Sequence, residues 1–100
     1  MISFLKNLFK TKDYKSLMAQ GARVIDVRSV AEYKNGHIKG SENIPLHNIA
    51  QQVKRIAAFK SPIILCCASG IRSANATSLL KSAGINAHNG GGWASLKSKI

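Results

Sequence analysis

A small α/β domain, built on an open and mostly parallel sheet with helices on both faces, is predicted by three features of this 100-residue chain. β-Branched and apolar runs over 23–27 and 62–66 alternate with stretches whose apolar residues recur at helical spacing. Gly21, Gly36, Pro45, Pro62 and Gly84 punctuate those stretches at the points where elements should end. The repeated strand-then-helix order then implies parallel pairing, with the connecting helices laid over both sheet faces.

Residues 1–12 read as an amphipathic extension and 13–100 as the domain. Ile2, Leu5, Leu8 and Phe9 fall at i, i+3, i+6 and i+7, with Phe4 beside them and lysines flanking. Such a segment packs on its own domain, frays, or rests on an anionic membrane; one or two turns bury too little for stable membrane insertion. Asp13 is placed to cap a helix running to Gln20, with Gly21 as its stop. A strand over 23–27 follows, and Asp26 and Arg28 stand at its carboxyl end, where open α/β sheets collect their working groups. Ser29 can cap a short helix over 30–35 that Gly36 breaks. A short strand over 41–44, closed by Pro45, leads to a helix over 46–59 with Ile49, Val53, Ile56 and Ala57 inward.

The central stretch comes next. Residues 62–66 read as a buried strand, and Ser73 starts a helix that runs to Ala83 and stops at Gly84. Between them lies Cys67-Ala68-Ser69-Gly70-Ile71-Arg72-Ser73. A strand that enters a helix through a glycine-containing turn points successive backbone N–H groups inward, making an anion nest at the positive end of the helix. Cys67 sits in that nest. Donors there favour thiolate over thiol, so its pKa should fall below the free value of about 8.5, and the thiolate is the nucleophile. Gly70 can take backbone angles closed to other residues, and Arg72 adds a cation at the far end of the loop. Cys66, its neighbour on the strand, should point to the opposite face as a small buried hydrophobe. A last short strand over 85–88 and a flexible turn at Gly90, Gly91 and Gly92 precede Trp93.

Composition narrows the function classes. Hydrophobic residues make up 45% of the chain, which supports a globular domain. No run is long enough to cross a membrane and no cleavable leader is evident, so a cytoplasmic address is expected. Neighbouring cysteines on opposite strand faces suit a reducing compartment, and no second cluster offers a disulfide or a metal site. The net charge of +11 could mark a nucleic-acid or acidic-protein partner, or steer small anions toward a thiolate. The lysines are scattered from Lys6 to Lys99, bunched only at Lys6, Lys10, Lys12 and Lys15, and not interleaved with aromatics as in a base-stacking platform. A solvated basic surface is expected, and no nucleic acid.

The Cys67 to Ser73 stretch resembles the active-site loop of the rhodanese-like domain family. The resemblance extends to Val24-Ile25-Asp26-Val27-Arg28, Glu32-Tyr33, Gly36-His37-Ile38-Lys39-Gly40-Ser41, Asn43-Ile44-Pro45 and Asn89-Gly90-Gly91-Gly92-Trp93, in the family's order. It implies a sulfurtransferase in which Cys67 carries sulfane sulfur as a persulfide and Ala68, Ser69, Gly70, Ile71, Arg72 and Ser73 cradle the anion. It also implies that Asp26 and Arg28 tie the surrounding loops, that His37 belongs to a structural turn, and that Trp93 is buried. Neither a metal nor an organic cofactor is implied. The partners are a small sulfur-containing anion or persulfide donor and a thiol or cyanide acceptor, and either could be a protein.

Two other readings compete. Phosphatases and arsenate reductases also seat a cysteine in an anion nest ending in arginine, but their loop is one residue longer, and no aspartate here is placed as a general acid. A non-catalytic binding module of the same fold is the other, against which the retained cysteine argues. One departure bears on substrate. Several thiosulfate sulfurtransferases of the family carry basic side chains just after the cysteine, where this chain has Ala68 and Ser69. Charge recognition then falls on the backbone nest, Arg72 and the overall basic field, so weak thiosulfate turnover is expected, with a protein or low-molecular-weight persulfide as the alternative donor; the substrate does not follow from the sequence.

Overall fold

Four parallel strands in the order β2-β1-β3-β4 position everything else in the computed structural model, which describes residues 13–100. The amphipathic segment expected over 1–12 lies outside the described residues. Helix α1 (Tyr14–Ala19) is capped by Asp13, whose carboxylate accepts the Ser16 N–H at 3.0 Å. Strand β1 (Arg23–Asp26) then enters the sheet, and α2 (Val30–Lys34) returns under a capping box in which Ser29 and Glu32 satisfy each other's N–H groups. Strand β2 (Glu42–Asn43) is an edge strand of two residues. A 3₁₀ helix (Leu46–Gln52) and α3 (Val53–Ala58) lead to the central strand β3 (Ile63–Cys67). Helix α4 (Ile71–Ser82), strand β4 (Ala87–Gly92) and α5 (Trp93–Lys97) complete the order.

The alternation of β3 builds two cores at once. Ile63, Leu65 and Cys67 point to one face, where Ile49, Ile56, Ala76 and Leu80 of the 3₁₀ helix, α3 and α4 cover them. Ile64 and Cys66 point to the other, beneath Leu96 of α5 and half-buried Leu17 of α1. Helices therefore cover both faces, as expected, and every strand pairing is parallel.

Five expectations are corrected. The helix expected over 46–59 divides into the 3₁₀ helix and α3. No side chain caps its start at Pro45, and the three-residue repeat stacks Leu46 and Ile49 on one face toward the core. Ala57, expected inward, is exposed. The helix expected to begin at Ser73 begins at Ile71, because Gly70 already makes the left-handed turn at φ +102°. The last strand is Ala87–Gly92 instead of 85–88, so Gly91 and Gly92, expected in a flexible turn, are paired with β3. Pairing jumps from Leu65–Asn89 to Cys66–Gly91, which leaves Gly90 as the extra residue of a bulge. Trp93, expected as a buried plug, is half-buried, with its ring against Gly36 and the Arg28 guanidinium 4.8 Å from its centroid.

Close approach explains Gly90 and Gly92 of β4. A Cβ on Gly90 would lie 2.8 Å from Leu96 Cδ2 and 2.9 Å from Ile64 Cγ2, and one on Gly92 would lie 2.8 Å from the Ala68 carbonyl oxygen. Gly90→Ala is therefore expected to destabilise the fold by about 1–3 kcal/mol, as overpacking does. The shift in urea midpoint at unchanged slope measures it, and an unaltered midpoint would contradict this packing.

Candidate active site

β3 ends at Cys67, which is 1% exposed and lies at the carboxyl end of the sheet. The chain turns back over its sulfur through Ala68 and Ser69, and Gly70 reverses it into α4. That reversal aims two backbone donors at the thiol: Gly70 N–H lies 3.0 Å and Ser73 N–H 3.4 Å from Sγ. The Ser73 hydroxyl is a third contact at 3.4 Å. Burial alone would push the Cys67 thiol up. Hydrogen bonds from the N–H groups of Ser73, Gly70 and Ser69, and from the Ser73 hydroxyl when its proton turns to the sulfur, outweigh it and hold the thiol below its ordinary value. Cys66 has no such donors among the causes of its shift, and burial pushes it up to about 12.

Arg72 does not stand free beside the sulfur. Its guanidinium grips the Glu32 carboxylate with two hydrogen bonds, 2.7 Å and 2.9 Å, and Glu32 is held in turn by the Ser29 N–H and hydroxyl. Arg72 first, and Ser29 after it, hold the Glu32 carboxyl down to about 2. The expected cation of the cradle is thus neutralised in place. Ala68, Ser69 and Ile71 are exposed and bring no charge, and Ile71 is 72% exposed.

Asp26 and Arg28 act at one remove. The buried Asp26 carboxylate accepts from Arg28 N, Nε and Nη2, at 2.8 Å for the shortest. Arg28 then donates to the carbonyls of Gly36 at 2.6 Å and Glu32 at 3.4 Å. The pair does not hydrogen-bond Cys67. It fixes the backbone of the residue that fixes Arg72. His37 lies in the same turn, stacked on Tyr33 with its Nδ1 at 2.7 Å from the Tyr33 carbonyl, which is the structural place expected of it.

Two residues escaped the sequence reading as individuals, although both stood in quoted motifs. Glu32 is one. Asn89 is the other: its side chain contacts Ser73, Gly70 and Gly91 together. The capping-box spacing from Ser29 could have flagged Glu32. Nothing local flags Asn89, because its role follows from the bulge in β4.

A thiol at the end of a central parallel strand, seated on N–H groups of the loop and helix that follow, defines an α/β domain with its cysteine held among backbone donors. The chain belongs to the rhodanese-like domain family, whose model matches residues 10–99. It is 36% identical over 72 residues to the thiosulfate sulfurtransferase GlpE of Pseudomonas fluorescens, and 40% identical over 63 residues to the uncharacterized protein YqhL of Bacillus subtilis. These alignments cover 72% and 63% of the chain but only 65% and 49% of those relatives. Among solved structures, the human single-domain sulfurtransferase TSTD1 superposes with a TM-score of 0.69 at 32% identity, covering 87% of this chain and 91% of that one. A rhodanese-related protein of Thermoplasma volcanium gives a TM-score of 0.72 at 29% identity, with 85% and 82% covered. Among the described residues no group of His, Cys, Asp and Glu could hold a metal ion, and no helix is long and apolar enough to cross a membrane.

The site geometry yields a direct expectation for the two thiols. In an ultraviolet titration of thiolate absorbance, one thiol should ionise below about pH 8.5 and disappear in Cys67→Ser, while the other stays protonated until the pH approaches about 12. Two thiols ionising together above pH 9 would refute the nest's effect on Cys67.

Proposed function

We propose that this domain is a sulfurtransferase in which Cys67 carries sulfane sulfur as a persulfide. The observation that carries the reading is the convergence of Gly70 and Ser73 N–H groups on Cys67 Sγ. Those donors favour a thiolate nucleophile and serve the anion chemistry of transfer without a separate base. In the first step the Cys67 thiolate attacks the sulfane sulfur of a donor R–S–SH. The Cys67 S–S bond forms, the donor S–S bond breaks, and R–S⁻ leaves. In the second step a thiolate or cyanide attacks the outer sulfur and Cys67 departs as thiolate.

Charge at the site favours a persulfide over thiosulfate. Thiosulfate arrives as a dianion and its leaving group, sulfite, is a dianion, whereas a persulfide expels a monoanion. Arg72 is committed to Glu32, and the positions after the cysteine are Ala68 and Ser69. Beside the loop, a cavity of about 220 Å³ lined by Val27, Val30, Pro45, Leu46, His47 and Arg72 gives a carbon-bearing donor an apolar surface. Phosphate chemistry is less well supported, because both nearby carboxylates, Asp26 and Glu32, are held by arginines instead of being poised as acids.

Intact-protein mass after exposure to a low-molecular-weight persulfide should show one added sulfur atom, removed by cyanide, absent in Cys67→Ser and retained in Cys66→Ala. Sulfur on Cys67→Ser would remove the nucleophile assigned here. Failure of the persulfide to load the wild-type chain would favour the binding-module reading.

Donor choice is a separate expectation. Glu32→Gln keeps the capping box, since glutamine serves in that position, but strips the counter-charge from Arg72. The ratio of thiosulfate to persulfide kcat/KM should then rise about tenfold, the scale of one charged hydrogen bond regained by an anion. A ratio that falls or holds constant would show that Arg72 plays no part in reading the donor.

A further inference from the structure

We infer that Asn89 is a positioning residue that sets where the Ser73 hydroxyl proton lies, and through it how readily Cys67 gives up its own proton. This rests on the reading of Cys67 as the sulfur carrier.

The orientation of the Asn89 amide is fixed by partners that allow one assignment. Gly91 N–H can only donate, and it meets Oδ1 at 3.0 Å; the Gly70 carbonyl can only accept, and it meets Nδ2 at 3.1 Å. The Tyr14 hydroxyl adds a bond at 2.8 Å to the Asn89 backbone carbonyl. With Oδ1 so placed, Ser73 Oγ at 2.6 Å must be the donor to it. A hydroxyl has one proton. While that proton points at Asn89, the lone pairs of Oγ face Cys67 Sγ at 3.4 Å.

Lone pairs suit a thiol and oppose a thiolate. The S–H of Cys67 can donate to Ser73 Oγ, but S⁻ can be stabilised by that oxygen only if the hydroxyl turns away from Asn89 and gives up the shorter bond. Asn89 therefore acts as a brake on a nest whose two backbone N–H groups pull toward thiolate. A brake has a use. Nucleophilicity falls as thiol pKa falls, so the best attacking thiol is one whose pKa lies near ambient pH.

The charged or titratable groups around the loop include Cys66 on its own strand, the Asp26–Arg28 pair at the end of β1, the Glu32–Arg72 pair between α2 and α4, His47 beside Arg72, His88 next to Asn89 on β4, and Tyr14 of α1. Among the described residues, none of these hydrogen-bonds the Ser73 hydroxyl or the Asn89 amide. The contact between Ser73 and Asn89 is thus a route that can be isolated.

A double-mutant cycle read by thiolate titration tests it, using wild type, Asn89→Ala, Ser73→Ala and the double variant. Loss of the Gly70 contact acts in both backgrounds and cancels. With Ser73 present, Asn89→Ala should raise the thiolate fraction at a fixed pH below the midpoint by about threefold more than it does in Ser73→Ala. Asn89→Asp, a stronger acceptor, should move the same difference in the opposite direction, and it serves if the alanine variant does not fold. Equal shifts in both backgrounds, or a difference of the wrong sign, would overturn the inference and leave Asn89 as loop support. Sulfur loading of the same wild-type sample by a persulfide is read in parallel, so that failure of the carrier reading is seen separately from failure of the cycle.

Discussion

The hydrogen bond from Gly70 N–H to Cys67 Sγ, 3.0 Å long, is the contact around which the domain is arranged. It needs a residue three places beyond the cysteine to turn its N–H back toward the strand end, and φ +102° does that. Gly70 has no room for a side chain either: a Cβ would lie 3.2 Å from Gly91 Cα. The bulge of β4 therefore exists on the same terms as the loop, since each backbone occupies space the other leaves. Helix α4 starts one residue later, which brings Ser73 N–H and its hydroxyl to the same sulfur.

Electrostatic order reaches this loop indirectly. The Asp26–Arg28 pair is almost wholly buried, and such a pair stabilises chiefly because either member alone would be an uncompensated charge. Arg28 spends its remaining donors on the carbonyls of Gly36 and Glu32, and its face on Trp93. Glu32 carries the constraint on to Arg72. The chain is strongly basic overall, yet the rim of its thiol site holds one arginine already matched by a carboxylate. Global charge and local charge thus say different things, and the proposed choice of donor rests on the local one.

Much of the fold was legible because it rests on short-range rules. The two-residue period of β3 placed Cys66 and Cys67 on opposite faces, and the caps at Asp13 and Ser29 appeared where side-chain spacing put them. The nest was legible too, as a strand, a glycine and a helix in close succession. What escaped depends on approach between distant segments. Gly90 and Gly92 looked like a loose turn because no local signal shows that Leu96 and the Ala68 carbonyl crowd them. Arg72 looked like a free cation because its partner is 40 residues earlier in the chain. The start of α4 was placed late because a left-handed glycine can end a loop as well as sit inside one.

On the proposed reading, the alternation that separates the two thiols would also govern how a sulfur-loaded domain is discharged. Cys66 is the only other cysteine in this chain, and it faces the opposite core with a proton it keeps until the solution is strongly alkaline. A sulfur carried on Cys67, as proposed, would have no neighbouring thiol within this chain to close a disulfide on it and expel hydrogen sulfide. Its release would then wait for an external nucleophile to enter the loop, with the lifetime of the cargo set by the arriving acceptor and not by any internal clock.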